Sequence, residues 1–187
     1  MRAGQPWSTH AGADCFFNAL LREWSEWSFT QGPFSDKRCI EIPCLNQQKL
    51  LVAVDYYSEV GQHRFLYPIY RESKGNCDTI TLPEAMKLIV AAVSHYHTIS
   101  PKQQQDFMQC VLQSQENYNN SVSARTDLTA LYQRDDVSFI EAEQALLVGH
   151  AMHPAPKSRE PFTQDDAQAY APEFGATFAL HLSLIHI

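Results

Sequence analysis

The chain has no surplus of basic residues: 14 Lys and Arg stand against 21 Asp and Glu, a formal net charge of −7 with the eight His neutral. General nucleic-acid binding needs a basic face that neutralises phosphates, so no nucleic-acid partner is expected. No apolar stretch approaches the roughly 20 residues of a membrane helix, so no membrane partner is expected either. The first fifteen residues lack an apolar core and a small-residue cleavage site, so nothing there reads as a secretory signal. The five cysteines, Cys15, Cys39, Cys44, Cys77 and Cys110, are odd in number and scattered, with no C-x-x-C pair. That argues against a disulfide framework or a thiolate zinc site, and for buried thiols in a reducing cytoplasm. Internal repeats, a Gly-rich P-loop and a nucleophilic triad are missing from the sequence as well.

What is there suffices for a packed core. Over 187 residues, 44% are apolar and 19% charged, which fits one domain, or one and a fraction. In residues 14–24, Phe16, Phe17, Leu20, Leu21 and Trp24 form one stripe of an amphipathic helix. Gly32 and Pro33 break the chain after it. Three period-two runs follow, at 39–44, 50–56 and 65–70, and they predict a small antiparallel meander with one wet face. Pro43 restricts the first run to a sheet edge or a strand end.

From Thr81 the patterning turns helical. Thr81 with Glu84, Ser100 with Gln103, and Ser138 with Glu141 have the form of capping boxes, each opening a helix. The second of these helices looks long and polar on its outer face. A short helix is expected over 128–132, and the third capping box predicts a helix over 139–148. A strand is expected at 177–182. The fold class is therefore α+β: an N-terminal helix, a small antiparallel sheet, then a helical segment leading to a Pro-rich loop.

That loop, residues 149–162, does not read as packing. Gly149 stands where a helix C-terminus wants a left-handed residue. Pro154, Pro156 and Pro161 deny the segment both helix and central strand, which predicts a stiff, extended surface loop facing a cleft. It gathers His150, His153, Lys157 and Arg159 within ten residues. Charge-assisted hydrogen bonds to phosphate or carboxylate oxygens are a reason to collect four such side chains. A solvated basic loop needs no ligand, and a His-x-x-His pair can hold a metal. Lys157 and Arg159 oppose bringing a cation in, so no metal is assigned here.

Gly149, His150, His153, Pro154, Lys157 and Arg159 also stand at the spacing G-H-x-x-H-P-x-x-K-x-R. The run 143–159 resembles the signature of the IucA/IucC family, the NRPS-independent siderophore synthetases. Residues 15–23 and Glu160-Pro161-Phe162 are similar to its aerobactin-type branch, and Tyr170-Ala171-Pro172-Glu173-Phe174 resembles the family's continuation. The resemblance implies the N-terminal portion, residues 1–187, of a larger, multi-lobed, ATP-dependent acid–amine ligase, inactive as a fragment. Residues 183–187 depart from the family's continuation and read as foreign to it. The implied substrates are citrate and N6-acetyl-N6-hydroxylysine, and the implied cofactors are ATP and Mg2+, with the metal ligands further along such enzymes. A homo-oligomer in the cytoplasm is implied too. Lys157, Arg159 and His153 would act in catalysis, and His150, His153, Lys157, Ser158 and Arg159 would hold the nucleotide. Imidazolium charge at the histidines would strengthen phosphate binding. Pro154 is expected to keep His153 extended and away from His150. A different amine or alcohol, or a non-catalytic anion- or metal-binding module, stays open.

Overall fold

The computed structural model describes residues 10–32, 37–177 and 179. Helix α1, Ala11–Glu23, buries Phe16, Phe17 and Leu21 along the predicted stripe. Five strands follow in meander order: β1 (Ser28–Gln31), β2 (Arg38–Pro43), β3 (Gln48–Tyr56), β4 (Arg64–Ser73) and β5 (Asn76–Ile80). Every neighbouring pair is antiparallel. The period-two runs became the three inner strands, and Pro43 ends β2. The two edge strands escaped notice because an edge position demands little apolar patterning: both residues 28–31 and 76–80 are largely exposed.

The sheet is not wet along all of one face. Leu50, Leu51, Val52, Ala53 and Val54 of β3 are buried in succession. Leu50, Val52 and Val54 point into the core beside Ile40 and Ile42. On the other face Leu51 lies between Glu41 and Tyr70, and Ala53 between Cys39 and Leu66. Larger neighbours on both flanks cover a central strand even where no second layer exists among the described residues.

Helix α2 (Leu82–Tyr96) and helix α3 (Pro101–Ala124) open on the expected capping boxes, with Pro in the first turn of each. Met86 and Ile89 of α2 and Val111 of α3 close the core over α1 and the sheet. On α3 only Val111, Ser114, Tyr118 and Ser121 are buried, a narrow stripe on a polar helix. Gly12 lets α1 approach it, since a Cβ there would lie 3.1 Å from Cβ of Gln115.

The short α4 spans Leu128–Leu131. Helix α5 opens on its Ser138–Glu141 capping box but covers only Phe139–Gln144, against the expectation of a helix to 148. Arg125 Nη1 takes the Gln144 carbonyl at 2.7 Å, and the chain then turns so that Leu147 packs with Ala11, Tyr118 and Leu128. Burying Leu147 outweighs one more helical turn whose residues would be exposed. A further capping box, Thr163 with Asp166, opens α6 (Gln164–Tyr170), and a 3₁₀ turn follows over Pro172–Phe174. The expected strand at 177–182 lies largely, and residues 183–187, expected to be foreign to the family, wholly, outside the described residues. The five cysteines are free thiols, with Cys15 and Cys39 fully buried. Among the described residues no helix is long and apolar enough to cross a membrane.

Candidate anion-binding site

The segment after α5 is coiled into successive turns, not extended. His153 N–H donates to the His150 carbonyl at 3.0 Å, and Ser158 N–H to the Ala155 carbonyl at 3.3 Å. Pro154 restrains the residue before it but leaves the peptide N–H of His153 free to close a turn, so the two histidines share one turn. Gly149 takes φ +76°, and a Cβ there would sit 3.2 Å from the Pro156 carbonyl oxygen. The turn therefore closes on a position only glycine fills comfortably.

Helix α3 and the core fix this segment in place. Ala155 is part of the main core. Ser114 accepts the Lys157 N–H at 2.7 Å, and Asn117 Nδ2 donates to the Lys157 carbonyl at 2.8 Å. Both backbone groups of Lys157 are thus held by side chains one helical turn apart on α3. Neither Ser114 nor Asn117 stood out in the sequence, since a serine and an asparagine on a helix ordinarily face solvent.

The charged side chains are less open than expected. Only 11% of the Lys157 side chain and 17% of that of Arg159 are exposed, and both reach the carboxylate of Glu173, itself 4% exposed. The Lys157 Nζ lies 2.7 Å from Glu173 Oε1 and 3.4 Å from the Leu146 carbonyl, and Arg159 Nη2 donates to the same Oε1. One carboxylate serves two cations, which leaves an excess of one positive charge. Burial and the Arg159 charge push the Lys157 ammonium down to about 8. The expectation that Lys157 and Arg159 stand free in a cleft is corrected: both are largely covered and hold Glu173 of the 3₁₀ turn. Glu173 was legible only as part of the Tyr170–Phe174 resemblance, because fourteen residues separate it from Arg159.

The imidazoles are exposed, and each has its Nδ1 occupied. His150 Nδ1 accepts the Met152 N–H at 3.2 Å, and His153 Nδ1 accepts the Ala155 N–H at 3.0 Å. With Nδ1 accepting, the neutral form of each ring carries its proton on Nε2. Metal binding would need that Nε2 lone pair and the opposite tautomer. The Ser158 hydroxyl donates to the Ala155 carbonyl at 3.1 Å and shapes the turn. The histidine pair and the Lys157–Arg159 pair are joined through the backbone of the turns.

The α+β scaffold thus holds two exposed imidazoles, and two cations that share one carboxylate, on a single anchored loop. Comparison with known proteins sharpens the class. Residues 138–187 match the IucA / IucC family model. The N(2)-citryl-N(6)-acetyl-N(6)-hydroxylysine synthase of Escherichia coli is 34% identical over 92% of this chain and 29% of its own length. The Vibrio mimicus enzyme of that name is 31% identical over 89% of this chain and 27% of its own. The ATP-bound aerobactin synthetase IucA of a hypervirulent Klebsiella pneumoniae pathotype superposes with a TM-score of 0.83 at 36% identity, over 89% of this chain and 29% of that one.

The chain belongs to the IucA / IucC family. It spans under a third of the length of the curated relatives it matches.

Proposed function

We propose that this chain is the phosphate-gripping part of an ATP-dependent synthetase that joins a citrate carboxyl to the amine of N6-acetyl-N6-hydroxylysine. The observation that carries the reading is the buried Glu173 shared by Lys157 and Arg159, which leaves one positive charge unanswered on a rigid loop. The relatives, named for the citryl-hydroxylysine product and for bound ATP, support it. ATP would supply the adenylyl group that activates the carboxylate. Bringing a carboxylate to a phosphate sets two anions together, so fixed cations and donors are the chief requirement. Lys157 offers a point charge and Arg159 its remaining guanidinium N–H groups. His150 and His153 offer Nε2–H donors already oriented by the turn. Ser158 acts through the turn it closes. Mg2+ is assigned to ligands outside this segment, the full-length enzyme to the cytoplasm, and its assembly to a homo-oligomer.

Citrate-dependent pyrophosphate release by the full-length protein tests the reading. Lys157→Ala and Arg159→Ala should each lower the rate about a hundredfold, as loss of one charged donor at a phosphate transition state does. Because Lys157 is charged below about 8, ATP affinity should weaken as pH rises through that value. Wild-type rates in both variants would remove the loop from the chemistry.

A further inference from the structure

Asp14 and Arg64 line one cavity of about 390 Å³, with Asn18, Tyr56, Gln62 and His63. Helix α1 and the β3–β4 hairpin supply these groups, and Val148 and Ala151 close the wall on either side of Gly149 and His150. The volume falls in the small-molecule range. Folding alone builds walls that are apolar or internally paired, because an unanswered charge is costly to desolvate.

This wall is neither. Asn18 and His63 belong to its scaffold. The Asn18 amide exchanges two 3.0 Å hydrogen bonds with the His63 backbone, and His63 Nδ1 accepts the Ser58 N–H. Asp14 and Arg64, by contrast, form no ion pair among the described residues. Among the described residues the Asp14 carboxyl accepts the Tyr67 hydroxyl alone, at 2.8 Å, and the exposed Arg64 lies over the Tyr56 ring, 5.1 Å from its centroid. Burial pushes the Asp14 carboxyl up to about 6, with Tyr67 and Arg64 pulling the other way, so its charge is poorly answered.

An acid and a base facing one cavity complement a zwitterion. Building on the synthetase reading above, we propose that this cavity receives the amine substrate as an α-amino acid, Arg64 taking its carboxylate and Asp14 its ammonium. The cavity shares the turn of His150 with the anion site, so the amine is held beside the loop that grips the phosphates. A planar guanidinium pairs with a carboxylate through two parallel N–H···O bonds, which sets orientation as well as affinity.

The test is steady-state kinetics of the full-length protein with N6-acetyl-N6-hydroxylysine and with its decarboxylated analogue. Wild type should show a KM for the amino acid at least tenfold below that for the analogue. Arg64→Met should raise the amino-acid KM ten- to a hundredfold, erase the preference, and leave the KM for ATP unmoved. Asp14→Asn, which keeps an acceptor for Tyr67, should raise the KM for both amines. If wild type lacks citrate-dependent pyrophosphate release, the synthetase reading falls and this inference with it. Normal release, with the amine preference intact in Arg64→Met, would overturn this inference alone.

Discussion

Replacing Glu173 by Gln isolates the charge arithmetic of the loop. The Glu173 side chain is 4% exposed and answers two cations whose side chains are themselves largely covered. Gln keeps the volume and one acceptor oxygen but raises the local excess from one positive charge to two. Removing one member of a buried ionic group costs about 3–5 kcal/mol, and the retained amide oxygen places this change near 3. Lys157→Ala instead leaves Glu173 paired with Arg159, and should cost less than Glu173→Gln although it deletes more atoms. Amide hydrogen exchange over residues 150–160 reads the local opening free energy directly. A loss of about 3 kcal/mol corresponds to exchange faster by roughly a hundredfold, since 1.4 kcal/mol is tenfold. Pyrophosphate or ATP should restore much of the protection in Glu173→Gln, because an anion supplies what the carboxylate did. Protection equal to wild type, or no recovery with the anion, would refute the shared-carboxylate account.

Two further outcomes follow from single groups. Ser114→Ala leaves the Lys157 N–H without its 2.7 Å acceptor and should cost about 1–3 kcal/mol, read as faster exchange of the loop with α3 itself unchanged. Asp14→Asn should stabilise the protein at pH 7.5 by on the order of 2 kcal/mol, as the carboxyl raised from 3.8 to about 6 binds its proton more tightly when folded. The wild-type penalty is present in full above about pH 6 and relieved as pH falls toward 4. Tyr67, Arg64 and Cys15 face this carboxyl, and His63 of the same cavity and His10, stacked on Tyr67, are held below 6.5 by burial, so the difference between wild type and Asp14→Asn is what isolates the carboxyl. Denaturant titrations of both proteins at pH 4.5 and 7.5 check it, and an identical pH response in the variant contradicts it.

The scaffold was legible where local chemistry decides it. Three capping boxes marked three helix starts, because Thr or Ser followed by Glu or Gln satisfies orphan N–H groups from within four residues. The Thr163–Asp166 box was overlooked, since Asp in place of Glu departs from the usual form. Boundaries set by tertiary contact were not legible. Helix α5 stops at Gln144 because Arg125 and the pocket for Leu147 are distant in sequence. The site divides the same way. The clustering of His150, His153, Lys157 and Arg159 was visible as composition, but their partners were not. Those are Glu173 and the backbone N–H groups that the turns bring to the imidazole nitrogens.

Helix α3 sets the rotational phase of the loop. Its buried stripe, Val111, Ser114, Tyr118 and Ser121, is locked to α1 and the two cores, while Ser114 and Asn117 hold the Lys157 backbone. Deleting one residue upstream of Val111 would turn that stripe by about 100° and shift it about 1.5 Å along the axis. The part of the helix before the deletion, where Met108 and Cys110 pack against the main core, and the part after it, which carries Val111 and both loop anchors, would then call for different rotations. A slip of one position between Pro101 and Val111 would therefore disarm the loop without touching any residue in it.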